Sequence, residues 1–188
     1  MIAGLILAAG AGQRMGGPKA TIEVNGVRLV DHAVTIFKQA GVENIFVVLG
    51  AWVGEVEGAT VIVNEDWQSG MASSLRTGLK HISEIAEIES VVISLVDLPG
   101  LTSAAISVIA KTPRDLVMAT YKEVAGHPAK FARAHWAGII GSAHGNVGAR
   151  QYLAGRSDIH YLRLDDLADG TDVDTPEDLA GFLSNSIV

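Results

Sequence analysis

Leu5-Ile6-Leu7-Ala8-Ala9-Gly10-Ala11-Gly12-Gln13-Arg14-Met15-Gly16-Gly17-Pro18-Lys19 runs from an apolar strand directly into a glycine-rich loop that carries two cations. Glycines at 10, 12, 16 and 17 let backbone N–H groups approach a ligand closely and reach dihedrals closed to other residues. Successive N–H groups in such a loop can form an anion-binding nest, to which Arg14 and Lys19 add full positive charge. A polyphosphate is the ligand that fits this combination.

Spacing separates the loop classes that bind polyphosphates. A Walker A loop needs G-x-x-x-x-G-K-[ST] opening a helix. Counting from Gly12, the second glycine falls at Gly17, but Pro18 stands in the lysine position and Ala20, not Ser or Thr, follows Lys19. A dinucleotide loop needs G-x-G-x-x-G. Gly10 and Gly12 fit, yet Met15 occupies the third glycine position and the next helical pattern waits until Leu29. The strand near Asn44 to Leu49 ends in Gly50-Ala51-Trp52, without an acid to grip a ribose.

What remains resembles the L-A-A-G-x-G-x-R-M-G-x-P-K signature of the nucleotidyltransferases that act on the molybdenum cofactor, with every fixed position filled from Leu7 to Lys19. A glycine-rich loop alone is as often a bare turn. Arg, Met, Pro and Lys in order across the whole signature argue against that plainer reading. The resemblance implies that Leu7, Ala8, Ala9, Gly10, Gly12, Arg14 and Lys19 bind the nucleotide. Relatives that select cytosine carry L-A-A-G where guanine users tend to carry L-A-G-G, and this chain has Ala9.

The length of 188 residues suits one domain spanning 1–188, long enough to bury about 70% of its unfolded surface. Apolar residues make up 48% of the chain and cysteine is absent, which excludes disulfides and thiolate metal sites. The apolar run Ile2 to Ala9 is too short for a signal or membrane helix, so a cytoplasmic location and no membrane partner are expected. A net charge of −7 argues against nucleic acid as a partner. The same charge means that local cations must overcome the global field at a triphosphate, which points to a divalent metal beside Arg14 and Lys19.

Apolar, β-branched runs recur at Ile2–Ala8, Ile45–Leu49, Thr60–Val63, Val91–Val96, Leu116–Thr120 and His160–Leu164. Several are continuous, as expected of strands covered on both faces. Helical patterns lie between them at Leu29–Ala40, Met71–Ile85, Thr102–Lys111, Asn146–Ala154 and Thr175–Leu183. This alternation predicts an α/β fold, a three-layer α/β/α sandwich with a mostly parallel, Rossmann-like sheet of the nucleotidyltransferase type. The loop at 10–19 then sits outside the carboxyl ends of the strands, where such sheets bind ligands. Ala125–Phe131 breaks the rhythm and reads as a short antiparallel excursion over the site.

Asp97 closes a buried apolar strand, a costly place for a charge unless it is paired or holds a metal. Asp172 and Asp174 lie two apart, and Thr175, Pro176 and Asp178 read as N-cap, N1 and N3 of a helix. For Asp172 a solvated pre-helix acid is the favoured reading. Asp97 and Asp174 together supply the hard oxygen ligands that Mg²⁺ prefers. The resemblance covers both acids: Asp97 matches a D-x-P motif and Asp174 a D-x-D-T-P-E-D motif, and in similar proteins these two hold the metal. With Arg14 and Lys19, Asp97 completes the implied catalytic set.

Asn64 to Leu79 also resembles the family and is implied to contact base and ribose through Asn64, Gly70, Ser73 and Ser74; the plainer alternative is a capped helix with Met71 and Leu75 in the core. Gly126-His127-Pro128-Ala129-Lys130-Phe131 resembles G-H-P-x-x-F, taken to lie beside a pterin. Gly145-Asn146-Val147-Gly148-Ala149-Arg150 departs from the expected G-D-x-G-A-R at Asn146. His127, Asn146 and Arg150 are therefore the candidate acceptor-binding residues, although Arg150 reads equally as a surface helix cation. No H-x-x-x-H or H-x-H spacing supports a histidine metal site.

The resemblance implies CMP transfer from CTP to the phosphate of molybdopterin, releasing pyrophosphate with Mg²⁺ as cofactor, and a molybdoenzyme or its maturation chaperone as recipient. Guanylyl transfer, a sugar or alditol phosphate acceptor, and a non-catalytic nucleotide-binding cofactor carrier stay open. The presence of both Asp97 and Asp174 favours catalysis over the carrier.

Overall fold

The computed structural model describes residues 1–185. In chain order its strands and helices begin with β1 (Ile2–Leu7), β2 (Glu23–Val24), β3 (Val27–Arg28), α1 (Leu29–Gln39), β4 (Asn44–Leu49), β5 (Thr60–Val63) and α2 (Met71–Ser83). They continue with β6 (Ser90–Leu95), α3 (Ser103–Lys111), β7 (Leu116–Tyr121), β8 (Val124–Ala132), α4 (Arg133–Ser142), α5 (Arg150–Leu153), β9 (His160–Arg163) and α6 (Pro176–Asn185).

The main sheet has seven strands in the order β5-β4-β1-β6-β8-β7-β9. All are parallel except β8, which runs antiparallel to both neighbours. The continuous apolar reading of β1 follows from two covered faces. Leu5 and Leu7 pack toward α2 and α4, whereas Ile6 and Ala8 pack toward α1 and α3. Helices thus lie on both sides of the sheet, as the alternation of strand and helix patterns predicts.

Three local expectations need correction. Ala125–Phe131 runs antiparallel as expected, but it is a strand of the sheet rather than an excursion: it lies within β8, between β6 and β7. Gly126 and Pro128 gave it the look of a loop, since proline removes a ladder donor. The register against β7 jumps from Met118↔Ala129 to Ala119↔Gly126, so His127 and Pro128 fall in a bulge where no ladder bond is needed. The helix expected over Asn146–Ala154 shrinks to α5, because Gly145 and Gly148 both take φ of +53° and break the preceding turn. Helix α4 has no counterpart in the sequence reading; with Gly138 and Gly141 inside it and only Trp136 and Ile139 buried, its pattern is faint.

The β2–β3 ribbon follows the same logic of local signals. Asn25 and Gly26 both have positive φ at its turn, the Asn-Gly signature of a tight hairpin. No helix among the described residues is long and apolar enough to cross a membrane.

Candidate active site

Leaving β1, the chain folds back on itself at Gly12, whose carbonyl accepts from the N–H groups of Met15 (2.8 Å) and Gly17 (3.3 Å). Gly12 has φ of +55°, and a Cβ there would lie 2.0 Å from the Gly17 carbonyl oxygen, so only glycine fits. Pro18 then starts a 3-10 turn over Lys19–Thr21 that delivers Lys19 back to the ends of β1 and β6.

The Lys19 ammonium meets two acids there. It donates to Asp97 Oδ2 at 2.6 Å and to Asp174 Oδ1, while Arg14 Nη2 donates to Asp174 Oδ2 at 2.7 Å. Lys19 and Asp97 are 14% and 15% exposed, Asp174 32% and Arg14 71%. The Lys19 pairs therefore act in a partly dry setting, whereas the Arg14 pair is open to screening by solvent. Burial works to lower the Lys19 pKa, but hydrogen bonds and charge from Asp174 and Asp97 outweigh it and hold the ammonium above its ordinary value. The hydrogen bond from Lys19 depresses the Asp174 carboxyl, aided by the charges of Lys19 and Arg14. Both cations that the sequence assigns to phosphate are here engaged with acids.

Asp174 reaches this place through backbone and cap. The Val173 N–H donates to the Asp97 carbonyl at 2.9 Å. Asp178 accepts from the Thr175 N–H at 2.8 Å, and Thr175 Oγ1 accepts from the Asp178 N–H at 3.2 Å. This reciprocal cap matches the reading of Thr175 as N-cap.

Asp172, read as a solvated acid, is exposed but belongs to the cluster: one oxygen each from Asp97, Asp172 and Asp174 lie within 4.8 Å of one another. The D-x-D spacing was the signal, since alternate residues of extended chain share a side. Asp97 Oδ1 is buried with no hydrogen-bond partner among the described residues. An acceptor-only oxygen left dry suits a cation, and three carboxylates form the donor set that Mg²⁺ or Mn²⁺ takes.

Two cavities flank the acids. The first, about 340 Å³, is lined by the loop from Leu7 to Gly12, by Lys19 and Asp97, and by Trp67, Gln68, Gly70, Met71, Ser74 and Asn146. Every loop residue assigned to the nucleotide except Arg14 lines it. Asn64 and Ser73 stand one layer behind: buried Asn64 donates to Ser73 Oγ (2.8 Å) and Ser74 Oγ (3.0 Å), and Ser73 Oγ donates to the Gly70 carbonyl at 2.8 Å. They shape the 67–70 turn that walls the cavity. Trp67 and Gln68 fall in the Asn64–Leu79 segment that resembles the family, but the sequence reading did not single them out. Trp67 is wedged beside Ala9, for a Cβ on Gly50 would lie 2.6 Å from the Trp67 Cβ and 2.9 Å from the Ala9 Cβ.

The second cavity, about 720 Å³, joins the first along Leu7, Met71, Leu95 and Asn146. Its floor is apolar, including Leu75, Ile93, Met118 and Phe131, and His127, Arg150, Arg156 and Asp172 also line it. Burial pushes the His127 imidazole below its ordinary pKa. His127 Nδ1 lies 3.3 Å from the Ile93 carbonyl, an acceptor, which assigns the proton to Nδ1. Arg156, not singled out in the sequence, is held by Asp158 (2.6 and 2.9 Å) and lies over the Tyr152 ring. Asn146 Oδ1 accepts from the Met71 N–H at 3.2 Å and caps α2, so the amide replaces the expected carboxylate as a helix cap.

Known proteins share this fold. The chain is 30% identical over 200 residues to nicotine blue oxidoreductase of Paenarthrobacter nicotinovorans, covering 97% of this chain and 96% of that protein. The crystal structure of Rv0371c from Mycobacterium tuberculosis H37Rv superposes with a TM-score of 0.83 at 27% identity, covering 97% of each chain. A structure of Rv0371c in complex with manganese gives 0.77 at 26% identity, over 97% of this chain and 98% of that one. Residues 4–162 match the MobA-like NTP transferase domain, and the chain belongs to that nucleotidyltransferase family.

Proposed function

We propose that the protein transfers CMP from CTP to the phosphate of molybdopterin, releasing pyrophosphate, with Mg²⁺ at Asp97, Asp172 and Asp174. The observation that carries this reading is the position of the acids across the border of two joined cavities. Asp97 lines the smaller and Asp172 the larger, so a cation held between them faces both compartments. That is where donor and acceptor meet in a group transfer.

The smaller cavity would take CTP, its triphosphate toward Gly10, Gly12 and Lys19 and its base toward Ala9 and the Trp67–Gly70 turn. The larger would take the pterin on its apolar floor, beside His127, with Arg150 available to an anionic group. Arg14 and Lys19 lie close enough to the acids to exchange carboxylate for phosphate partners. A phosphate oxygen of the acceptor forms the new bond to the α-phosphorus of CTP. The bond from that phosphorus to the β-phosphate bridging oxygen breaks, and pyrophosphate leaves with the electron pair. A phosphate monoester is already ionised above a pKa of about 6, so no side chain has to remove a proton. His127, kept neutral by burial, then serves to position the acceptor. Bound Mg²⁺ supplies charge neutralisation on the phosphate oxygens. The manganese complex of Rv0371c supports a divalent cation in this fold family. A soluble cytoplasmic protein that hands product to a molybdoenzyme or its chaperone fits this chemistry. Pyrophosphate release from each of four NTPs, with and without molybdopterin, tests the reading; release that needs both CTP and molybdopterin is expected.

A second reading rests on the 30% identical relative named as an oxidoreductase of nicotine blue. In it, the apolar larger cavity takes a planar heteroaromatic that is reduced rather than a pterin phosphate that is nucleotidylated. Loss of nicotine blue absorbance with a pyridine nucleotide, in the absence of any NTP, would select this reading.

A further inference from the structure

We propose that Lys19 is a built-in counter-ion that occupies the cation position between Asp97 and Asp174 until a triphosphate draws its ammonium away, coupling metal entry to nucleotide binding. The oxygens it holds, Asp97 Oδ2 and Asp174 Oδ1, belong to two of the three acids that could ligate a divalent ion. An ammonium and a dication cannot share these oxygens without strong repulsion in a partly dry site, where like charges are poorly screened. Lys19 therefore competes with the metal rather than assisting it. Arg14 is not the obstacle, since it is largely exposed and its charge is screened.

Lys19 has somewhere to go. An ammonium carries three donors, and its side chain also lines the nucleotide cavity beside Gly12. An incoming triphosphate offers it an anionic partner only a side-chain rotation away. Its departure frees both carboxylates, and Asp97 Oδ1, buried and without a hydrogen-bond partner among the described residues, is open to a cation. One residue thus neutralises the acids in the resting protein and the phosphates in the loaded one. The identity of the displacing anion rests on the nucleotidyl-transfer reading; the competition with metal does not.

The test is Mn²⁺ affinity of the full chain without nucleotide, read by electron paramagnetic resonance. Lys19→Met should bind Mn²⁺ at least tenfold more tightly than wild type, whereas Lys19→Arg, which keeps the charge, should not. In wild-type protein with ¹³Cε-labelled lysine, saturating Mg²⁺ should shift the Lys19 resonance, and tripolyphosphate should shift it as well. Equal or weaker Mn²⁺ binding by folded Lys19→Met would overturn the proposal. So would a Lys19 resonance unmoved by Mg²⁺, an arm that decides the matter even where the methionine variant fails to fold. Tighter Mn²⁺ binding in a protein that transfers no nucleotide would keep the counter-ion role and remove the function proposed above.

Discussion

The Val173 N–H donates to the Asp97 carbonyl at 2.9 Å, tying a C-terminal segment to the end of β6, a strand near the centre of the sheet. With the Thr175–Asp178 cap, this backbone bond sets Asp172 and Asp174 on either side of Val173, beside Asp97. The acid cluster is thus a product of tertiary folding across more than seventy positions, not of a local motif.

Asp97→Asn and Asp174→Asn should each slow nucleotidyl transfer by about two orders of magnitude or more, because charge clamping at a metal supplies several kcal/mol. Asp172→Asn should fall between these variants and wild type, since Asp172 joins the cluster from an exposed position. Steady-state pyrophosphate release checks the ranking. Wild-type turnover by Asp97→Asn would remove the metal assignment.

The Lys19–Asp174 pair predicts a stability window. Asp174 has its folded pKa held below the ordinary 3.8, so its contribution is present at neutral pH and fades as the pH falls through the folded value. Lys19 has its folded pKa raised above 10.5, so its contribution is complete below that pH and fades as alkali passes the folded value. Thermal melts of wild type and Asp174→Asn should differ most near neutrality and converge toward strong acid. A melting-temperature gap that stays constant from neutral pH to well below 3.8 would contradict this.

Gly70 has φ of +112°, and a Cβ there would lie 2.4 Å from the Gly145 carbonyl oxygen. Gly70→Ala should destabilise by roughly 1–3 kcal/mol through backbone strain, with more from the clash. It should also weaken nucleotide binding, because the 67–70 turn would shift against the Asn146 cap. A melting temperature equal to wild type would show that the turn relaxes freely.

Much of this was legible in the sequence for identifiable reasons. Strand β1 and its loop were readable because the run is short, continuous and followed by glycines, and Thr175 and Asp178 because capping is local chemistry. Strand β8 was obscured by Pro128, whose place in a bulge depends on its register with β7. Asp172 looked solvated because Asp97, which it joins, follows β6 far earlier in the chain. Trp67 sat inside a segment that resembles the family but was not singled out, since its role arises from Gly50 leaving room for it beside Ala9.

Base choice follows from that packing. The Ala9 methyl and Trp67 both crowd Gly50, and both line the smaller cavity. CTP should outcompete GTP by tens-fold, a difference on the order of 2 kcal/mol. Equal incorporation of the two in a competition assay would overturn the assignment of this region to the base.

Transfer of radiolabel from α-³²P-CTP to molybdopterin by purified protein tests the central claim most directly. The account predicts labelled CMP–molybdopterin and an equal amount of pyrophosphate, both dependent on Mg²⁺ and both lost in Asp97→Asn. Absence of labelled product with CTP and GTP alike, together with reduction of nicotine blue by the same preparation, would contradict it.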